Sequence, residues 1–286
     1  MMETTQTRQL ANGLAIPSMG FGTILPADQV TSSVVAAFNA GYRLIDTAEA
    51  YHNEAAVGAG IRQAIADGTV TRENIFISSK VWFVHRSYQS TLDAFDESLR
   101  LLGLDYLDGY LVHWPANSRW HANWRELNAE TWRAFETLYQ AGKVRAIGVS
   151  NFSVHQLEAL IADTSITPML NQLEYHPDFS QPESAQFDRQ EKIVTEAWRP
   201  LGGPGGHVLA NSVIQELAHK YDRQPTQIIL RWLTQLGIVP LPKSINPAHM
   251  AANLASFDFK LSHADLDLIS NLPQGSTQYD PETYHS

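Results

Sequence analysis

Eight short β-rich runs, each ending in polar residues, alternate along this chain with longer segments of helical spacing, and few folds accept that pattern. The runs are Met19–Gly22, Tyr42–Asp46, Ile75–Lys80, Leu107–His113, Ala146–Ser150, Met169–Glu174, Ile193–Trp198 and Ile238–Pro242. Between them, apolar residues recur three and four apart: Val30, Val34, Val35 and Phe38; Val57, Ile61 and Ile65; Leu92, Phe95, Leu99 and Leu102. The same spacing continues in Trp132, Phe135, Leu138 and Tyr139, in Leu157, Leu160 and Ile161, in Val213, Ile214 and Leu217, and in Ile228, Ile229, Trp232 and Leu233. Ser153, with Gln156 three residues on, reads as an N-cap, and Pro225 as a first-turn proline. Strand–helix alternation implies a parallel sheet covered by helices. Eight units close naturally into an α/β (β/α)₈ TIM barrel, here a single domain over residues 1–286. A doubly wound open sheet is the rival, weakened because no G-x-G-x-x-G follows the first run. Ahead of the barrel, Arg8–Pro17 carries Asn12-Gly13 between short apolar arms and reads as a β-hairpin.

Composition narrows what such a barrel could do. With 286 residues, 44% of them hydrophobic, the chain can bury a sizeable core. It has no apolar run of membrane-spanning length, and Met1–Gln6 lacks the pattern of a secretory signal. There are no cysteines, which excludes disulfides, thiolate metal sites and cysteine nucleophiles and is compatible with a cytoplasmic location. A formal net charge of -10 argues against nucleic-acid or membrane-surface partners. A monomer acting on a small molecule is the expectation.

In a (β/α)₈ barrel the chemistry gathers at the C-terminal ends of the strands. Three successive runs end in Asp46, Lys80 and His113, and Tyr51 follows Asp46 closely enough to return to the same pocket. Together they suit carbonyl reduction, in which negative charge develops on oxygen. A phenol with a pKa of about 10 is a reluctant acid near neutrality. The Lys80 ammonium would ease proton donation by Tyr51, Asp46 would keep that ammonium charged, and His113 would donate a hydrogen bond to the substrate oxygen. Taken singly, each has a structural reading; an Asp–Lys pair at strand ends is often an ordinary ion pair. Ile24, Trp82 and Trp114 sit beside these groups and are candidate substrate walls, with Tyr51 and His113 completing the pocket. No H-x-H lies on an early strand and no carboxylate–histidine set recurs, so no metal is expected.

The segments Asp46–Glu54, Ile77–Trp82 and Leu111–Pro115 resemble the catalytic signatures of the aldo-keto reductases, in a bacterial type similar to diketogluconate and aldehyde reductases. The resemblance continues through Gly142–Phe152, Asn171–Pro177 and Leu241–Ser244, in order, over nearly the whole chain. It implies NADPH as cofactor, with Ser150, Asn151 and Gln172 on the nicotinamide carboxamide. It further implies cofactor contacts at Gly22, Thr23, Asp46, Trp198, Pro200, Leu201 and Gly202, with Trp198 in place of the family's usual stacking tyrosine. The glycine-rich stretch Gly202–Gly206 looks suited to a pyrophosphate. Lys243 and Ser244 would meet the 2′-phosphate, and Asn253 the adenine. His249 stands where NADP-preferring members carry arginine, so weaker discrimination against NADH is expected. The insertion Ala116–Ala129, with Trp120 and Trp124, matches the family's variable covering loop. The alternative function is a cofactor-binding redox sensor or regulatory subunit with little turnover.

Overall fold

The computed structural model describes residues 6–203, 207–277 and 279–284. Asn12 and Gly13 turn the chain back on itself at its start. β1 (Thr7–Gln9) pairs antiparallel with β2 (Ala15–Pro17). Gly13 takes a φ of 83°, and the Asn12 carbonyl Oδ1 accepts from the Leu14 N–H at 3.0 Å. This is the expected hairpin.

Eight parallel strands follow: β3 (Phe21–Gly22), β4 (Leu44–Asp46), β5 (Phe76–Val81), β6 (Leu107–Val112), β7 (Val144–Ser150), β8 (Leu170–Glu174), β9 (Val194–Trp198) and β10 (Val239–Pro240). Each pairs with its successor. The first and last also meet, since the Gly20 N–H donates to the Pro240 carbonyl at 3.0 Å and the Gly22 N–H to the Pro242 carbonyl at 3.1 Å. Pro240 and Pro242 have no N–H to give back, so the seam runs in one direction only. The sheet closes into a barrel.

The helices are α1 (Val30–Ala40), α2 (Glu54–Ala66), α3 (Tyr88–Leu102), α4 (Trp124–Gln140), α5 (Val154–Asp163), α6 (Pro182–Gln190), α7 (Ser212–Tyr221), α8 (Pro225–Leu236), α9 (Pro247–Leu254) and α10 (His263–Ser270). Ser153 caps α5 with Gln156 completing a capping box, and Pro225 opens α8, both as read from the sequence. α4 begins at Trp124, so the covering loop is shorter than Ala116–Ala129; its second half has helical spacing and joins Trp132 and Phe135.

Strand parity sorts the side chains. Outward residues such as Ile45, Ile77, Tyr110, Ile147 and Val149 pack into one large core with the helices. Inward residues Leu44, Phe76, Leu111, Ala146, Leu170 and Val239 form a second core with Leu10 and Ile16 of the hairpin region, which plugs the N-terminal end. Two or four residues further along the same parity stand Asp46, Ser78, Lys80, His113, Ser150, Gln172 and Glu196. The barrel interior is apolar at its base and polar at its mouth.

Candidate active site

β4 ends in Asp46, and one 3₁₀ turn, Glu49–Tyr51, brings the phenol back over the strand ends. Lys80 of β5 is 0% exposed, and its ammonium Nζ donates to Asp46 Oδ2 at 2.6 Å and to the Thr47 carbonyl at 2.9 Å. The same Nζ lies 5.3 Å from the centre of the Tyr51 ring. The His113 ring meets Tyr51 edge to face at 5.8 Å, and the Trp82 ring at 4.9 Å. The structure brings these four residues together at the strand ends.

Their electrostatics follow from burial. Burial opposes the Lys80 charge, but Asp46, Tyr51 and Glu196 outweigh it and hold the ammonium above its ordinary value. Burial, joined by the Lys80 charge, pushes His113 well below the usual histidine range, so the imidazole is neutral. Its Nδ1 is buried with no partner. For Tyr51 the balance differs from the sequence expectation. Burial pushes the phenol up, and the Lys80 charge and hydrogen bond, which pull it down, only partly compensate. The ammonium restrains the cost of a buried phenolate without reversing it.

The remaining Asp46 oxygen, Oδ1, accepts from the Ser78 hydroxyl at 3.0 Å and from the Gln172 amide Nε2 at 3.1 Å. Gln172 Nε2 also donates to Glu196 Oε2 at 3.0 Å. Two carboxylates thus occupy both amide hydrogens of Gln172 and leave its carbonyl oxygen as the free group. Glu196 was not anticipated. It is fully buried, its Oε1 has no partner, and burial together with Asp46 raises its pKa to about 7. Its signal was available, because it shares strand parity with Trp198.

Asn151, at a left-handed φ of 62°, donates through Nδ2 to the His113 carbonyl and the Ser150 hydroxyl, each at 3.0 Å. Its Oδ1 accepts from the Trp198 indole Nε1 at 2.8 Å, a bond that a tyrosine could not make in the same way. The Trp198 ring also meets Tyr279 edge to face at 5.5 Å, and Arg199 donates to the Tyr279 hydroxyl at 3.0 Å. Trp114 stacks on Tyr284 at 3.9 Å. The C-terminal segment therefore lies across the mouth, an arrangement the polar tail sequence did not disclose. Glu174 helps to fasten it, accepting from Thr277 Oγ1 at 2.5 Å while facing Arg199 at 3.6 Å and His176 at 3.7 Å.

The other expected contact residues are spread around this centre. Thr23 is fully buried and donates to the Asp46 carbonyl at 2.9 Å, with Gly22 beside it at the seam. Ile24 is 57% exposed. Pro200, Leu201 and Gly202 follow β9, with Gly202 and Gly203 both at positive φ; Pro204–Gly206 lie outside the described residues. Lys243 and His249 are exposed near the start of α9, and Ser244 is half-buried, its hydroxyl accepting from the Asn246 N–H at 3.0 Å. Asn253 is only 5% exposed and lies beside the Tyr42 hydroxyl, which leaves little of it to a ligand.

Residues 14–273 match the model of the Aldo/keto reductase family. The chain is 45% identical over 268 residues to a glyoxal reductase of Bacillus subtilis (strain 168), covering 93% of this chain and 92% of that protein. Among solved structures, an aldo/keto reductase from Brucella melitensis superposes with a TM-score of 0.86 at 43% identity, over 94% of this chain and 99% of that one. A Bombyx mori aldo-keto reductase solved in complex with NADP gives a TM-score of 0.86 at 33% identity, over 98% of this chain and 94% of that one.

Proposed function

Because the chain belongs to the aldo/keto reductase family, we propose that it reduces small aldehydes or ketones to alcohols with NADPH, Tyr51 giving the proton. The observation that carries this reading is the fully buried Lys80–Asp46 pair set against the Tyr51 ring and next to a neutral His113. An ion pair so desolvated contributes little to stability, whereas it suits a site where charge must develop.

The residues around this pair fit the cofactor. The Gln172 carbonyl oxygen is left free to accept from a carboxamide, and Ser150 and Asn151 stand at the adjoining strand end. Exposed Lys243 and half-buried Ser244 would take the 2′-phosphate, and His249, lacking a guanidinium fork, would discriminate only weakly against NADH. When bound, NADPH supplies the hydride to the carbonyl carbon. Tyr51 gives the proton from its hydroxyl to the carbonyl oxygen, and the balance is one carbonyl, one hydride and one proton to one alcohol. Lys80 stabilises the phenolate that remains. Asp46 keeps Lys80 charged and in place. His113, held neutral, donates from its imidazole N–H to the oxygen as charge builds there.

The test is NADPH oxidation over a panel of aldehydes, dicarbonyls and keto sugars. Wild-type turnover is expected, with Tyr51→Phe slower by roughly 10²- to 10⁴-fold while still binding NADPH. Unchanged turnover in Tyr51→Phe would remove Tyr51 as the acid. Tight NADPH binding without turnover of any carbonyl would favour a sensor instead.

A further inference from the structure

A cavity of about 370 Å³ opens beside the candidate site, walled by Phe83, Trp114, Trp120 and Tyr284 and holding the side chain of Arg86. Two of its walls adjoin the catalytic groups proposed above. Trp114 is the next residue after His113, and Phe83 packs at 4.4 Å on Trp82, whose ring is 4.9 Å from His113.

Arg86 is unusual there. Among the described residues none that lines the cavity is acidic. Among the described residues no ion pair or hydrogen bond engages its guanidinium, which lies 5.7 Å from the Phe83 ring centre. Burial alone pushes its pKa down to about 10, with no neighbouring charge to oppose it. The carboxylate that holds this loop, Glu49, is committed elsewhere: it accepts from the Trp82 N–H at 2.8 Å and pairs with His85 at 2.9 Å. A half-buried guanidinium among aromatic walls, with no acidic partner among the described residues, presents its fork to an oxyanion.

We propose that Arg86 is a specificity-determining residue that binds an oxyanion, carboxylate or phosphate, carried by the substrate away from its reacting carbonyl. This rests on the reductase reading and names its substrate class: short aldehydes or ketones with an anionic end. The planar fork would take two oxygens at once, and the aromatic walls would cover the chain between the anion and the carbonyl.

The experiment compares kcat/KM for matched pairs with NADPH: succinic semialdehyde against its methyl ester, and glycolaldehyde phosphate against glycolaldehyde. The wild-type protein is expected to prefer at least one anion over its neutral partner by about tenfold or more, and which pair responds separates carboxylate from phosphate. In Arg86→Met the anion-to-neutral ratio should fall by about 10- to 100-fold, mainly through KM, as for a lost hydrogen bond to a charged group. Arg86→Lys, which keeps the charge but loses the fork, should retain part of the preference. A wild-type protein indifferent to charge, or an Arg86→Met ratio equal to wild type, overturns the proposal while the neutral aldehydes still report a working reductase. Absence of turnover on every compound, neutral ones included, overturns the reductase reading itself.

Discussion

Glu196 shows how one buried group can set a pH dependence for the whole fold. Its carboxyl lies inside the barrel with Gln172 on one oxygen, nothing on the other, and Asp46 and Lys80 close enough to act on it. Burial and the Asp46 charge raise it to about 7, against an ordinary glutamate value of about 4.3. A carboxyl raised on folding favours the folded state less once the unfolded chain has ionised. Stability therefore falls as pH climbs from about 4.3 to about 7, by a total on the order of 3–4 kcal/mol, and the loss is constant above that window. Glu196→Gln removes this dependence. The variant should gain stability relative to wild type between pH 5 and pH 8 in urea denaturation, and a gain equal at both pH values would show that Glu196 does not titrate there. Asp188, also raised to about 7 by burial, titrates identically in both proteins and cancels.

At the scale of elements, the sequence disclosed nearly all of the barrel, because each strand must be apolar on its outer face and each helix on one stripe. All eight β-rich runs contain strands whose ends differ from the runs by one or two residues, as where β4 omits Tyr42-Arg43 and β7 begins at Val144 rather than Ala146. The stretch Gln181–Arg189 is polar and carries little helical periodicity, yet α6 forms with Pro182 at its first turn; Asp188 is its buried anchor, bonded to Thr195 at 2.8 Å and Asn171 at 3.1 Å. Periodicity could not find Arg86 or Tyr279, because both lie in irregular segments whose positions are fixed only by distant contacts. The seam leaves little room for added bulk. A Cβ on Gly20 would stand 2.5 Å from Leu241 and 2.6 Å from Leu44. Gly20→Ala should therefore cost about 1–3 kcal/mol by overpacking. A thermal melt or urea midpoint equal to wild type would show that the seam relaxes freely.

Across the whole molecule, the two chain ends serve opposite faces of the barrel. The hairpin closes the base, while Thr277 and residues 279–284 strap the mouth through bonds to Glu174, Arg199, Asn117, Trp120 and Ser153. Those partners come from separate strand ends and loops, so the strap reads the relative placement of the units it crosses. Ending the chain at Ser276 removes the Tyr284 face from Trp114 and the Tyr279 edge from Trp198. Substrate KM should then rise roughly 2- to 10-fold, the scale of one or two aromatic contacts, with the barrel still folded by circular dichroism. An unchanged KM would mean the strap is only a cover. No helix among the described residues is long and apolar enough to cross a membrane. The polarity of base and mouth also decides how the protein could be fixed to a solid support. A bead linked near Leu10 and Ala11 would present the catalytic opening to the liquid, whereas one linked near Tyr284 would press that opening against the resin and starve it of reactant.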